Sequence, residues 1–369
     1  MSILVFLFSV VFILYVLAGY PLILAAWAKA FPRPIRKEFI PQTVSIIVPV
    51  RNGARWVEAK IQSLLQSEYP GDLLNILIVS DGSTDATEEL VRGNPDTRVR
   101  LLALPPGGKA TAVNHGLENV TGELIVLTDV RQAFDPSAIR RMAACFADPS
   151  VGVVTGELVI REGATQEQYN TGLYWQYEKW IRRNLNRIDA MLGATGSIYA
   201  IRRELAVRIP PEILLDDVYI PFAAKSRIFF EDDAKAYDLP TSLNTEFWRK
   251  VRTQAGVYQI LLRFPTLLSP FNRRFIHFLS HKLGRLLLPF AMLTAAASSF
   301  FLPQPWRTPV LIAQGLFYLL AITDPVIPET FPLKRLSAVI RAFVVLTAAA
   351  FCALAVFILP AQKLWKETR

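Results

Sequence analysis

The chain has few of the residues that build disulfide frameworks or soft-metal sites. It holds two cysteines, Cys145 and Cys352, and three histidines among 369 residues. The two cysteines form neither a disulfide framework nor a metal-binding pattern, as expected for a domain in the cytoplasm. The motifs G-x-G-x-x-G and G-x-x-x-x-G-K-[ST] are also missing from the sequence. The sequence therefore supports neither a dinucleotide-binding nor a P-loop protein.

Charge is missing from the first 28 residues, MSILVFLFSVVFILYVLAGYPLILAAWA. This run is long enough to cross a membrane as a helix, and it lacks the basic n-region and short core of a signal peptide. We therefore predict a transmembrane anchor at 1–28, with a cleaved signal peptide as the alternative. Apolar stretches at 285–303, 307–323 and 337–360 predict about three more spans between 285 and 360.

Basic residues beside these spans indicate an orientation. With four spans, most of them fall on one side: Lys29, Arg33, Arg36, Lys37, Lys282, Arg285, Lys334 and Arg335. The positive-inside rule makes that side cytoplasmic, although the basic tail at 361–369 then lies opposite. The net charge of +9 fits an anionic membrane surface. Nucleic acid is not expected as a partner, because no nucleic-acid-binding motif is present.

The remaining sequence divides into a polar domain at 40–256 and a basic, aromatic stretch at 257–284. We predict interfacial amphipathic helices for the latter. His277 and His281 are four residues apart within it, as in some metal sites, but no third ligand is evident. The acids Glu231 to Asp233 are predicted to lie in a solvated turn after a strand.

Apolar, β-branched runs alternate with helical patterns in the polar domain. They predict strands at 43–50, 74–83, 98–105, 123–130 and 151–160, with helices between them. The second of these helices is expected to begin near Thr84. Strands that alternate with helices indicate an α/β fold with a mostly parallel sheet.

Polar side chains follow four of the predicted strands: Arg51, Asn52, Ser80, Asp81, Ser83, Lys109 and Asp129. Ligands of parallel sheets bind beyond the carboxyl ends of the strands. One polar strand end would be uninformative, because loops are polar in general. Four such ends favour a nucleotide site.

Ten segments, in order, resemble one known family: VSIIVPVRNGA, SEYP, IVSDGSTDAT, GGKATAVNHGL, GELIVLTD, DPSVGVVTGEL, YEKWIRR, ATGSIYAIRREL, LLDDVYIPFAA and FWRKVRTQAG. Over about 43–285 the chain is similar to the membrane-bound branch of glycosyltransferase family 2. The resemblance implies a GT-A nucleotide-diphospho-sugar transferase domain, a Rossmann-like mixed sheet, joined to transmembrane helices. It implies inverting transfer of a sugar from a nucleotide sugar, expected to be UDP-linked, with Mg²⁺ or Mn²⁺ as cofactor.

The resemblance also implies roles for individual residues. Donor-binding positions are Pro49, Arg51, Asn52, Asp81, Ser83, Lys109, Asn114, Asp129, Arg131, Arg249 and Arg252. Acceptor-side positions are Glu157, Gly196 and Trp175. Asp129 is the expected metal ligand. Asp217 is the expected general base, with Asp216 beside it.

The sequence departs from the family pattern at three places. Ser80 replaces an acid that often precedes Asp81, and Arg131 replaces the second aspartate of the D-x-D motif. A guanidinium cannot ligate a metal. Arg131 is therefore expected to pair with a phosphate or to turn towards solvent. The Q-x-x-R-W motif is reduced to its arginine, Arg252.

These departures favour a transferase that adds one or a few sugars to a lipid-linked or membrane-proximal acceptor in envelope glycan or glycolipid synthesis. It is expected to be a hexosyl- or N-acetylhexosaminyltransferase (EC 2.4), multi-pass in the inner (plasma) membrane, with its catalytic domain in the cytoplasm. A processive exopolysaccharide synthase is one alternative. A non-catalytic sugar-nucleotide-binding subunit of a polysaccharide complex is the other.

Overall fold

The computed structural model describes residues 1–160, 166–239, 242–328 and 330–359. The chain divides into two compact units. The helical unit comprises Met1–Phe31, Glu162–Asn184 and Pro240–Arg369. The sheet unit comprises Pro32–Arg161 and Leu185–Leu239.

The described strands all belong to the sheet unit: β1 (Val44–Val50), β2 (Leu74–Asp81), β3 (Val99–Leu104), β4 (Leu124–Leu127), β5 (Ala133–Phe134), β6 (Val151–Ile160), β7 (Tyr199–Arg202) and β8 (Arg227–Asp238). The described α-helices are α1 (Ser2–Leu14), α2 (Tyr20–Ala30), α3 (Ala54–Leu65), α4 (Thr87–Arg92), α5 (Lys109–Glu118), α6 (Ala138–Cys145), α7 (Gln166–Arg187), α8 (Asp216–Ala223), α9 (Leu243–Arg263), α10 (Phe275–His277), α11 (Gly284–Ser299), α12 (Arg307–Thr323) and α13 (Lys334–Cys352).

The strands form one sheet in the order β3-β2-β1-β4-β7-β6-β8-β5. Strand β1 pairs in parallel with β2 and β4, β2 with β3, and β6 with β8. Strand β7 runs antiparallel to both β4 and β6, and β5 runs antiparallel to β8. All strands except β5 and β7 therefore point the same way, which confirms the predicted mostly parallel sheet. Their carboxyl ends share one edge, where ligands of such sheets bind.

The five predicted strands are present, but one strand end and one helix start differ from the prediction. Strand β4 ends at Leu127, so Asp129 lies in the loop beyond it. Helix α4 begins at Thr87, after the expected start near Thr84. The reason is that the Thr84 N–H donates to Asn52 Oδ1 at 2.8 Å, and the Thr87 N–H donates to Asp85 Oδ1 at 3.1 Å.

The prediction of a solvated turn at Glu231–Asp233 is wrong. These acids lie within β8, at a shift of its register against β6. Glu231 is buried and forms an ion pair with Lys37. The Cys145 Sγ lies 3.2 Å from the Glu231 carboxylate. Burial was unexpected for an acid in a run of three, because the partners Lys37 and Cys145 are distant in sequence.

In the helical unit, three helices of the described residues are long and apolar enough to cross a membrane: Ser2–Ala30, Arg307–Val326 and Lys334–Phe357. Helix α11 covers another predicted span but has only 16 residues, against about 20 for a typical crossing. A span there stays a prediction. The expected domain limit at 256 falls inside α9, and the two units divide near residue 240.

A buried charge cluster joins α12 to α13 within the helical unit. Asp324 follows α12 directly and is buried. Its Oδ1 accepts from Ser337 Oγ at 2.7 Å and lies 3.3 Å from Lys334 Nζ. Arg341 is 3.4 Å from the other carboxylate oxygen. The cluster satisfies an acid that would be costly to bury alone.

Candidate active site

The loops after β1 and β2 are tied together at the carboxyl edge of the sheet. Asn52 has a left-handed backbone, with φ of 51°, which asparagine tolerates better than most residues. Its N–H donates to Ser83 Oγ at 3.1 Å, and its side-chain oxygen accepts from the Thr84 N–H. The Ser80 Oγ donates to Glu88 at 2.8 Å. Ser80 is thus hydrogen-bonded to an acidic residue of α4. Arg51 lies exposed beside these loops.

Asp81, the last residue of β2, anchors the glycine loop that precedes α5. Its Oδ1 accepts from the Gly107 N–H at 2.6 Å and from the Gly108 N–H at 3.0 Å. Gly108 has φ of 86°, a conformation that favours glycine. The loop therefore fixes the direction in which α5 begins, at Lys109.

Lys109 lies between two acids. Its Nζ is 3.0 Å from Asp129 Oδ1 and 3.2 Å from Asp216 Oδ1. Burial alone would lower the pKa of Lys109, but the carboxylates of Asp129, Asp216 and Asp217 together hold that pKa above its usual value. The ammonium group thus joins the loop after β4 to the start of α8.

Asp216 and Asp217 occupy the first turn of α8, where carboxylates interact favourably with the helix dipole. Asp216 is buried, and Asp217 is partly exposed. The Gly196 N–H donates to Asp217 Oδ2 at 3.0 Å. A Cβ on residue 196 would lie 3.2 Å from that same oxygen. Gly196, predicted on the acceptor side, therefore orients the Asp217 carboxylate.

Two site residues were missed from the sequence. Lys60 is buried on α3, and its Nζ donates to Thr128 Oγ1 at 2.7 Å. Burial lowers the pKa of Lys60, and Asp129 opposes that effect. Tyr199, the first residue of β7, is also buried. Burial raises its pKa, as do Asp216, Asp217 and Asp129. The sequence feature that could have identified Lys60 is its position on the apolar face of helix α3.

Several predicted site residues make other contacts. Arg131 pairs with Asp238, at 2.5 Å, instead of turning to solvent. The Asn114 amide donates to the Ile209 carbonyl at 2.8 Å and accepts from the Ile209 N–H at 2.7 Å. The side-chain amide of Asn114 thus forms hydrogen bonds within the folded protein. Glu157 is buried on β6, and Pro49 lies within β1.

Three further predicted site residues, Arg249, Arg252 and Trp175, belong to the helical unit. Arg249 and Arg252 lie on α9 in the helical unit, where Arg249 pairs with Glu246 at 2.9 Å. The side chain of Trp175 lies outside the described residues. A donor-binding role for the two arginines therefore stays a prediction.

The acids around Lys109 fit a hard divalent cation. The Asp129 side chain is 40% exposed and that of Asp216 is 11% exposed. Carboxylate oxygens are the ligands that Mg²⁺ and Mn²⁺ prefer. Both oxygens already face a cationic group at about 3 Å, so the geometry stabilises positive charge between them.

The fold has a close structural relative. The mannosyltransferase PcManGT from Pyrobaculum calidifontis, solved in complex with GDP-Man and Mn²⁺, superposes with a TM-score of 0.73. The match covers 95% of this chain and 98% of that one, at 20% identity. That likeness, with the mixed sheet and its acidic edge, defines a GT-A fold, as the sequence predicted.

Sequence comparisons show what part of the chain resembles known proteins. Residues 45–209 match the model of glycosyl transferase family 2. A poly-beta-1,6-N-acetyl-D-glucosamine synthase of Staphylococcus epidermidis is 25% identical over 61% of this chain and 57% of its own length. A beta-monoglucosyldiacylglycerol synthase of Synechocystis sp. is 30% identical over 34% of this chain and 27% of its own. Residues 45–209 thus carry a glycosyl transferase family 2 domain, and the matches span 57% of the first relative's length and 27% of the second's.

Proposed function

We propose that this protein is an inverting glycosyltransferase that moves a sugar from a nucleotide sugar, expected to be UDP-linked, to a lipid-linked or membrane-proximal acceptor. The observation that carries this proposal is the cluster of Lys109, Asp129 and Asp216 beside Asp217. These groups meet at the carboxyl edge of the sheet. A dead sugar-nucleotide binder would have no need of the paired acids on α8.

The donor's nucleoside is assigned to the loops around Asp81 and Asn52, and its diphosphate to Lys109. The glycine loop that precedes Lys109 is held by Asp81, which accepts from the N–H groups of Gly107 and Gly108. Asp129 and Asp216 would hold Mg²⁺ or Mn²⁺. When bound, the ion would neutralise charge on the leaving diphosphate.

Asp217 is the proposed general base. It is more exposed than Asp216, and the Gly196 N–H fixes one of its oxygens. The acceptor hydroxyl gives its proton to the Asp217 carboxylate while its oxygen attacks the anomeric carbon. The bond to the diphosphate breaks on the opposite face of the sugar, so the configuration inverts.

The acceptor is assigned to the membrane surface because three described helices are able to span a membrane. We propose a multi-pass protein of the inner membrane with its sheet unit in the cytoplasm. The glycolipid synthase among the relatives supports a lipid acceptor. The poly-N-acetylglucosamine synthase favours a second candidate, a processive polysaccharide synthase. The incomplete Q-x-x-R-W motif weighs against that candidate.

The decisive experiment incubates membranes containing the protein with a panel of radiolabelled nucleotide sugars and analyses the product by mass spectrometry. We expect a lipid carrying one or a few sugars. The change Asp217→Asn should lower transfer by about 100-fold or more and leave UDP binding intact. Asp72→Asn, at an exposed aspartate outside the site, is the control. A long polymer would indicate the processive synthase. Retained UDP binding without transfer from any donor would indicate a non-catalytic subunit.

A further inference from the structure

The two acids assigned to the metal already share a cation of the protein itself. Lys109 Nζ lies 3.0 Å from Asp129 Oδ1 and 3.2 Å from Asp216 Oδ1. A divalent ion bound by these same oxygens would stand close to the ammonium group, and like charges at that distance repel strongly in a partly buried site. The lysine and the metal therefore compete for one position.

Lys109 is held in this position by the backbone. It is the first residue of α5, and the two residues before it donate their N–H groups to Asp81. Its side chain is only 22% exposed. A long surface lysine samples many rotamers. Here the start of the helix and two carboxylates restrict Lys109 to the space between the acids.

A nucleoside diphosphate offers the ammonium group another partner. Phosphate oxygens are strong acceptors for a charged donor such as the Lys109 ammonium group. Lys109 is then able to leave the two carboxylates without losing its counter-charge. The acids become available to an ion at the moment when the diphosphate needs one.

We propose that Lys109 is a resident cation that excludes divalent metal from Asp129 and Asp216 until a nucleoside diphosphate is bound. This inference rests on the proposed function, because it assigns the diphosphate to Lys109. Metal binding is then strongly coupled to nucleotide binding, and the coupling is reciprocal. The free protein stays unloaded at metal concentrations that saturate the nucleotide complex.

Mn²⁺ titration followed by electron paramagnetic resonance tests this directly, with the full-length protein in detergent. Wild-type protein should bind Mn²⁺ weakly alone. Lys109→Met should bind Mn²⁺ alone about ten-fold more tightly or better, because the competing charge is gone. UDP should strengthen Mn²⁺ binding less in this variant than in wild type, after subtraction of Mn²⁺–UDP in solution. Lys225→Met removes an exposed lysine of the sheet unit and should match wild type.

Lys109→Gln retains a polar head of similar length and provides a second test, with circular dichroism as the check of folding. If both variants bind Mn²⁺ alone no better than wild type, Lys109 is merely a phosphate ligand and the inference is overturned. Wild-type protein that binds Mn²⁺ equally well with and without UDP also overturns it. If the variants gain Mn²⁺ affinity but no form binds UDP or GDP, competition with Lys109 is supported and the proposed function fails.

Discussion

Arg131, two residues after Asp129, forms an ion pair with the buried Asp238. The Arg131 guanidinium lies 2.5 Å from Asp238 Oδ2, and the Gln132 amide donates to the same oxygen at 2.8 Å. The Asp238 side chain is only 2% exposed. The arginine therefore ties the loop that carries Asp129, the proposed metal ligand, to the end of β8.

Arg131→Ala should destabilise the protein because it leaves the Asp238 carboxylate buried without its cation. Breaking such a pair costs about 3 kcal/mol, which urea unfolding of the detergent-solubilised protein would measure. UDP affinity should stay near the wild-type value. Arg36→Ala breaks an exposed pair with Glu38 and should cost about 1 kcal/mol or less. A large loss of UDP affinity with normal stability would instead assign Arg131 to the donor.

Gly196→Ala should impair the general base selectively. The added Cβ would lie 3.2 Å from Asp217 Oδ2, so the carboxylate must shift while the backbone N–H is retained. A small displacement of a catalytic group lowers rates by about 10-fold to 100-fold. We expect such a fall in the transfer rate with unchanged UDP binding. Gly315→Ala is the matched control, because nothing lies within 4 Å of its added Cβ. Equal rates for the two variants would contradict the assignment of Asp217.

The stability of the sheet unit should fall in alkaline solution because of Cys145. Burial, then the Glu231 carboxylate, raises the pKa of this thiol, so the folded protein keeps a proton that the unfolded chain releases above about pH 8.5. The stabilisation is complete below that pH and declines above it. Between pH 7.5 and 9.5, wild type should lose about 1.4 kcal/mol more than Cys145→Ala. Parallel urea-unfolding profiles for the two proteins would rule out this effect.

Asp324→Asn should weaken the connection between α12 and α13. The change removes the charge that Lys334 and Arg341 face in a buried position. The expected loss is about 3 kcal/mol, read as a lower midpoint of thermal unfolding in detergent. Asp72→Asn serves again as the exposed control. An unchanged midpoint would show that the cluster adds nothing to the stability of the helical unit.

Whether a strand or helix could be predicted from the sequence depends on its length and on the residues that it contacts. Strands β1, β2, β4 and β6 were predicted because apolar runs with β-branched residues mark buried parallel strands, and β3 was predicted from the apolar residues of 98–105. Strand β5 has only two residues, too few for a recognisable period, and no long apolar run marks β7, whose sequence is YAIR. A strand was expected before Glu231, but its continuation to Asp238 was missed because the acids Glu231 to Asp233 were interpreted as a solvated turn.

The same reasoning applies to the site. Lys109, Asp129 and Asp216 were found through motifs that stand at strand ends or helix starts. The partner of Arg131 lies 107 residues further along the chain, and nothing local in the sequence reveals such a pairing. Lys60 was passed over because a lone lysine in an apolar helix face is read as an exposed residue.

The bracing of the loop after β4 by β8 also determines when the site is able to form during synthesis. Asp129 emerges early, but Asp216 and the Asp238 end of β8 follow about a hundred residues later. Pairing across such separations is slow, because loop closure must precede the contact. A chain truncated at residue 209, where the family match ends, would contain β1 to β7 but lack α8 and β8, and with them Asp216 and the brace. The compact sheet unit that carries the candidate site therefore extends beyond the matched segment, to Leu239, directly after the end of β8.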